Sequence, residues 1–184
     1  MTTLQSKLTL NDFLKLPETK PASEYIDGKI QHKPMSKGKH SIIQALLVAT
    51  INQVSNKKCH AFTELRCTFA GRSLIPDICV FNWQRIPLDP KGEIENDFMS
   101  QSDWTIEILS PDQSSIRVID NILFCLDHGS ELGWLIDPQE LIIMTFLPKQ
   151  QPQIKQGDEQ LPVLSSLDNW QITVQDIFSF LSLN

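Results

Sequence analysis

The sequence lacks what a membrane or exported protein would carry. Its longest apolar stretch, Ile42 to Ile51, is interrupted by Gln44 and is far too short to span a bilayer. The opening residues, Met1 to Lys7, have neither an apolar core nor a small-residue cleavage site, so no secretory leader is expected. No C-x-x-C pair is present. Cys59, Cys67, Cys79 and Cys125 lie far apart, and the nearest metal cue is Cys59 beside His60, adjacent residues that rarely share one ion. Buried free thiols in a reducing cytoplasm are the expectation. Positive charge is also short: 16 Lys and Arg stand against 22 Asp and Glu, a net charge of −6. That excludes a generic basic nucleic-acid coat, but not an enzyme with one local positive face. There is no internal repeat and no linker that would divide domains. With 184 residues, 41% hydrophobic and 21% charged, the chain reads as one folded domain spanning residues 1–184.

What is present is an alternation of short helices and strands. Thr9 to Leu16 predicts a capped helix with Leu10, Phe13 and Leu14 on one face, ended by Pro17. Glu24 to Gln31 alternates around Asp27-Gly28, a hairpin signal. Gly38 and Ser41 lead into a helix through Val54, and extended segments follow at Ala61 to Phe69 and Leu74 to Trp83, with Gly71-Arg72-Ser73 as the turn. Arg85 to Ser102, rich in Pro, Gly and acids, predicts a loop with little core of its own. A strand at Trp104 to Leu109 precedes a helix over Ser114 to His128, with Ile116, Ile119, Leu123, Leu126 and Cys125 inward and Gly129 as terminator. Strands at Leu132 to Ile136 and Leu141 to Phe146 flank an Asp137-Pro138-Gln139-Glu140 turn. Gln150 to Gln160 reads as a surface excursion, and Val174 to Leu183 as a closing helix. This order predicts an α/β (α+β) fold, a mixed sheet with helices packed on it.

Two carboxylates sit where acids are expensive to bury. Asp77 follows Pro76 at the head of Ile78-Cys79-Val80-Phe81, and Glu107 lies between Ile106 and Ile108. Thr105, Glu107 and Leu109 share one strand face, so neighbouring strands could turn both acids into one cleft. Two carboxylates with waters and a substrate phosphate suffice for Mg²⁺; the alternative is that each accepts hydrogen bonds at a strand end.

The stretch resembles the Asp…Glu-x-Lys signature of restriction-endonuclease-like nucleases of the PD-(D/E)XK superfamily. The chain is most similar to the Uma-two family within it. The resemblance rests on Glu24-Tyr25-Ile26-Asp27-Gly28-Lys29-Ile30, Gly38-Lys39-His40-Ser41, Pro76-Asp77-Ile78, Glu107-Ile108-Leu109-Ser110-Pro111 and Gly133-Trp134-Leu135-Ile136-Asp137-Pro138, in that order. It implies a restriction-endonuclease-like mixed sheet flanked by helices, with Mg²⁺ or Mn²⁺ held by Asp77, Glu107 and Glu24 and by the Ile108 carbonyl. The implied reaction is metal-dependent hydrolysis of DNA phosphodiesters without a covalent intermediate.

The superfamily's lysine is missing from its place. Two residues after Glu107 stands Leu109, and the equivalent helix position holds Asn121. Arg117 is the only cation in Ser114 to His128; it could stabilise a phosphate but stays protonated and cannot act as a base. Arg117 and Lys39 are therefore the catalytic cation candidates. His40 opens a helix and could contact phosphate, backbone or the reacting atoms. Lys33, Lys37, Lys39 and His32 form a positive stretch that reads either as a DNA-backbone contact or as a solvated loop. Trp134 reads as a core or dimer-face aromatic and Asp137 as a turn former. The resulting expectation is a cytoplasmic, Mg²⁺-dependent DNA endonuclease, a homodimer by family analogy. The alternative is a degenerate nuclease-fold module that binds DNA or protein without cutting.

Overall fold

The computed structural model describes residues 8–111 and 113–182; the opening stretch Met1 to Lys7 and the predicted helix end at Leu183 lie outside them. Two sheets and four α-helices form a mixed α+β fold. Chain order gives α1 (Leu10–Phe13), β1 (Ser23–Ile26), β2 (Lys29–His32), α2 (Gly38–Ser55), β3 (Cys59–Thr63), β4 (Cys67–Phe69), β5 (Arg72–Leu74) and β6 (Ile78–Asn82). Then come β7 (Trp104–Ile108), α3 (Ser115–Asp127), β8 (Leu132–Asp137), β9 (Ile142–Phe146), β10 (Gln153–Gln156) and α4 (Val174–Ser179). The larger sheet has the order β10-β9-β8-β7-β6-β3 and the smaller β2-β1-β5-β4. The β7–β8 pair is parallel, joined through α3; the other strand pairs are antiparallel.

Strand alternation divides the interior. Trp104, Ile106 and Ile108 of β7 face one way, with Ile78, Val80, Trp134 and Ile136, and pack against Ile43, Leu47 and Ile51 of α2. Trp134 belongs to this core: it is fully buried, meets Trp104 edge to face, and donates its indole N–H to the Pro162 carbonyl at 3.0 Å. The other sheet face carries Glu107 and Leu135 and is covered by α3 and the smaller sheet. All four cysteines are buried and free.

Several elements differ from the sequence expectation. The two extended segments are four strands shared between two sheets. Glu64, at φ +47°, bends the chain out of β3, and Ile75 to Asp77 carry it from the smaller sheet back to the larger. The turn is Ala70-Gly71, so Arg72 and Ser73 lie in β5. On α3 the buried stripe is Val118, Asn121, Ile122 and Cys125, whereas Ile116 is 78% exposed and Leu123 42%. Both stripes have helical spacing, so period alone cannot choose between them. The long loop after β6 does contribute core: Phe98 is buried against Phe81 and Phe62. The polar excursion holds an edge strand, β10, paired with β9. The predicted Asp137 turn is present, its Oδ1 accepting the N–H groups of Gln139 and Glu140.

The close approach of α3 to β8 explains the glycine of the Gly133-Trp134 motif. A Cβ on Gly133 would collide with Cγ2 of Ile122 and stand 3.4 Å from Cβ of Phe146. Gly133→Ala is therefore expected to destabilise the chain by about 1–3 kcal/mol through overpacking, read as a lower denaturant midpoint with unchanged m.

Candidate functional site

The β6–β7 register pairs Ile78 with Ile106 and so brings Asp77, one residue before β6, opposite Glu107. Both acids are buried. Asp77 is held on every side. Its Oδ2 accepts the Ile108 N–H at 2.7 Å and lies 3.1 Å from Nε2 of His40, while its Oδ1 is 2.7 Å from Nζ of Lys33. Its backbone carbonyl accepts the side-chain amide of Gln44, one turn beyond His40 on α2. Glu107 Oε2 stands 3.3 Å from the same Lys33 ammonium. Lys33 also donates to the Ile75 carbonyl at 2.6 Å, and the Ile75 N–H donates to Oε1 of Glu24 at 2.7 Å. Glu24, Lys33, Ile75, Asp77 and Glu107 thus form one connected polar cluster between the two sheets.

The hairpin explains how Lys33 arrives there. Asp27 and Gly28 take the left-handed backbone that a two-residue turn requires, which fixes Ile26 opposite Lys29 and Glu24 opposite Gln31. Two residues on, Lys33 lies on the same face as Gln31, diagonal to Glu24, and its own N–H bonds the Ala22 carbonyl. The positive stretch therefore divides. Lys33 is a site residue with a side chain only 12% exposed, whereas Lys37 and Lys39 are exposed.

Burial and charge oppose each other in this cluster. Burial alone would raise the Asp77 pKa, but Lys33 and the His40 and Lys33 hydrogen bonds outweigh it and hold the carboxyl below its usual range. Glu107 is pushed well up, chiefly by burial; Lys33 pulls the other way, and the charges of Asp77 and Glu24 add to the rise. Glu24 is raised too, again first by burial. Burial disfavours the Lys33 ammonium, yet Glu107, Asp77 and Glu24 together raise its pKa, so it remains a cation. The cluster holds one fixed positive charge and one fixed negative charge, with Glu107 as the acid most ready to keep a proton.

Of the residues singled out in the sequence, Asp77, Glu107, Glu24 and His40 come together. Ile108 reaches Asp77 through its amide N–H. Lys39 lies one residue before His40 and lines a neighbouring cavity. Arg117 is exposed on α3 and lines neither that cavity nor the cleft beside Asp77. Asn121 is buried, its Oδ1 without a partner, and Leu109 packs against the α3 cluster. Lys33 is the residue that sequence reasoning missed as part of this cluster; the hairpin register was the signal that could have found it.

The cluster opens into a cleft of about 320 Å³ whose lining includes Lys20, Lys33, His40, Asp77, Ser110 and Gln113. Among the described residues no three His, Cys, Asp or Glu side chains stand in preformed metal-ligand geometry. The donor set nevertheless fits a hard cation. Two carboxylates and a carbonyl oxygen already converge on one cationic nitrogen, so the position is built for positive charge and oxygen ligation.

Glu107 gives the stability a pH signature. Its folded-state pKa lies above its unfolded value, so its stabilising effect is full below the ordinary carboxylate range and is lost as pH rises through the folded value. Asp77 behaves oppositely, stabilising above its unfolded pKa and losing that contribution in acid. Thermal melts should accordingly show Glu107→Gln matching or exceeding the wild type above neutral pH. Asp77→Asn should cost about 3–5 kcal/mol there, because it strips the Lys33 ammonium of its nearer carboxylate.

Comparison with known proteins agrees with this architecture. The family model Uma2, described as "Putative restriction endonuclease", matches residues 10–175. The crystal structure of a "putative nuclease belonging to DUF820" from Anabaena variabilis superimposes with a TM-score of 0.93 at 51% identity, covering 95% of this chain and 99% of that one. No curated protein matches. The fold is that of the restriction-endonuclease-like nucleases, and the chain belongs to the Uma2 family.

Proposed function

We propose that the chain is a divalent-metal-dependent DNA endonuclease whose centre is Asp77, Glu107 and Lys33, with Glu24 and His40 as positioning residues. The observation that carries this reading is the Lys33 ammonium lying within 2.7 Å of Asp77 and 3.3 Å of Glu107. An Asp, a Glu and a Lys meeting at one cleft is the functional constellation of the family's superfamily, here with the lysine supplied from the end of β2. Asp77 and Glu107 would hold Mg²⁺ or Mn²⁺, with Glu24 behind them. Such a cation, when bound, activates water and offsets charge on the phosphate oxygens.

The chain's own residues divide the remaining work. His40 and the Ile108 amide fix the Asp77 carboxylate by holding Oδ2. Lys33, kept protonated by its neighbours, is no general base; its role is to donate to a phosphate oxygen as negative charge builds there. Glu107 must release its proton before it can ligate, so metal affinity should rise with pH across the range in which that carboxyl ionises. The non-cutting alternative drew its support from the absent lysine, and Lys33 removes that motive. Action as a homodimer in the cytoplasm, where the four thiols would stay reduced, completes the reading.

A nicking assay on supercoiled DNA with Mg²⁺ or Mn²⁺ tests it. Lys33→Met is expected to lower kcat by about 10²–10³ while metal binding persists, the loss typical of removing one charge-stabilising donor. Glu107→Gln should abolish metal-dependent cutting, and Arg117→Gln should cut like the wild type. Full activity in Lys33→Met would overturn the assignment.

A further inference from the structure

We propose that Cys67 and Cys79 are a peroxide-sensitive thiol pair, closing to a reversible disulfide that ties the smaller sheet to the larger beside the carboxylate cluster. Such a bond forms whether or not the cluster cuts DNA.

The two sulfurs lie 3.7 Å apart, although Cys67 belongs to β4 of the smaller sheet and Cys79 to β6 of the larger. Cys79 stands opposite Thr105 across β6 and β7, so it shares the sheet face of Glu107. A disulfide is about 2.05 Å long, which asks the sulfurs to approach by roughly 1.7 Å. The thiol protons are already arranged for it. Cys79 has one S–H, and it donates to the Leu65 carbonyl at 3.8 Å, so in its contact with Cys67 the Cys79 sulfur accepts. A lone pair of Cys79 therefore faces the Cys67 sulfur. The other two thiols are placed differently. Cys59 lies in the core on the α2 side of the sheet, and Cys125 packs against Ile26 and Leu74.

Burial keeps both thiols unreactive while the chain is closed. The cover over Cys67 is thin, however. Cys67 is bridged to Phe98 in the long loop after β6, and between Ile86 and Phe98 no residue of that loop is buried. A segment with so few buried contacts opens locally, and hydrogen peroxide is little larger than the water that then enters. Peroxide transfers one oxygen to the Cys67 sulfur, giving a sulfenic acid and one water. The Cys79 sulfur attacks the Cys67 sulfur; the S–S bond forms, the S–O bond breaks, and the leaving hydroxide takes the Cys79 proton as a second water. Peroxide gains two electrons and the thiol pair loses two. A small dithiol reverses the bond by exchange. The closed loop runs from Thr68 to Ile78 and contains Ile75 and Asp77, both partners of Lys33. Fixing its ends removes freedom from the unfolded chain, so the oxidised cluster resists unfolding.

The test is peroxide treatment of the full, reduced chain, followed by peptide mapping without reductant. A linked Cys67–Cys79 peptide is expected, lost on adding dithiothreitol. Denaturant titration of the oxidised chain should show an unfolding equilibrium constant about 10–100-fold lower. In Cys79→Ala the sulfenic acid on Cys67 should persist and be captured by dimedone, a signal that a merely space-filling thiol would not give. Cys125→Ala should still link Cys67 to Cys79. Free Cys67 and Cys79 after peroxide treatment of the folded wild type, or linkage of either one to Cys59 or Cys125, would overturn the pair. The wild-type map decides this even where a variant fails to fold. No cleavage is measured, so a failure here is distinct from a failure of the nicking assay.

Discussion

A lysine ammonium among three buried carboxylates is the constraint on which the rest of this structure depends. Placing Glu24, Asp77 and Glu107 between two sheets costs several kcal/mol per ionised group unless charge and hydrogen bonds compensate. Lys33 supplies that compensation from a single nitrogen, to Asp77, Glu107 and the Ile75 carbonyl. The Ile75 peptide then passes the connection to Glu24. Four separate stretches of chain, the hairpin, the β5–β6 crossover, β7 and the start of α2, are tied at one point.

The surrounding fold serves that point. The left-handed turn at Asp27-Gly28 sets the register that delivers Lys33, and Arg72 braces the hairpin by pairing with Asp27 and Asp120 while stacking over Phe124 of α3. The α2 core stripe Ile43, Leu47 and Ile51 anchors the helix whose first turn carries His40 and whose second carries Gln44. Pre-organisation of this kind has a thermodynamic cost. Glu107, the acid least compensated, is kept where its charged form is disfavoured, the kind of perturbed carboxyl that marks a candidate functional site.

Much of this was legible in the sequence, and the limits have physical causes. Alternation in Trp104 to Ile108 separated Glu107 from the core face, and the Asp-Gly pair announced the hairpin. The superfamily's lysine is expected near Glu107 in sequence, where Leu109 and Asn121 stand. A cation needs only to arrive in space, and the hairpin register brought Lys33 from far away along the chain. On α3, Ile119, Leu126 and Cys125 do pack inward, whereas Ile116 and Leu123, which share the helical spacing of the buried Val118 and Ile122, are exposed. Contacts distant in sequence select between the two stripes, among them the approach of Ile122 to Gly133 and the packing of Cys125 against Ile26 and Leu74. Likewise nothing local marks Gln153–Gln156 as a strand, since an edge strand with one neighbour can be polar.

The most direct test of the central claim is a crystal of the protein soaked in Mn²⁺, with the metal located by its anomalous scattering. The account predicts a peak ligated by Asp77 and Glu107, with the Lys33 ammonium displaced from its place between them. A saturating soak that leaves Lys33 on both carboxylates, with no metal at the cluster, would contradict it.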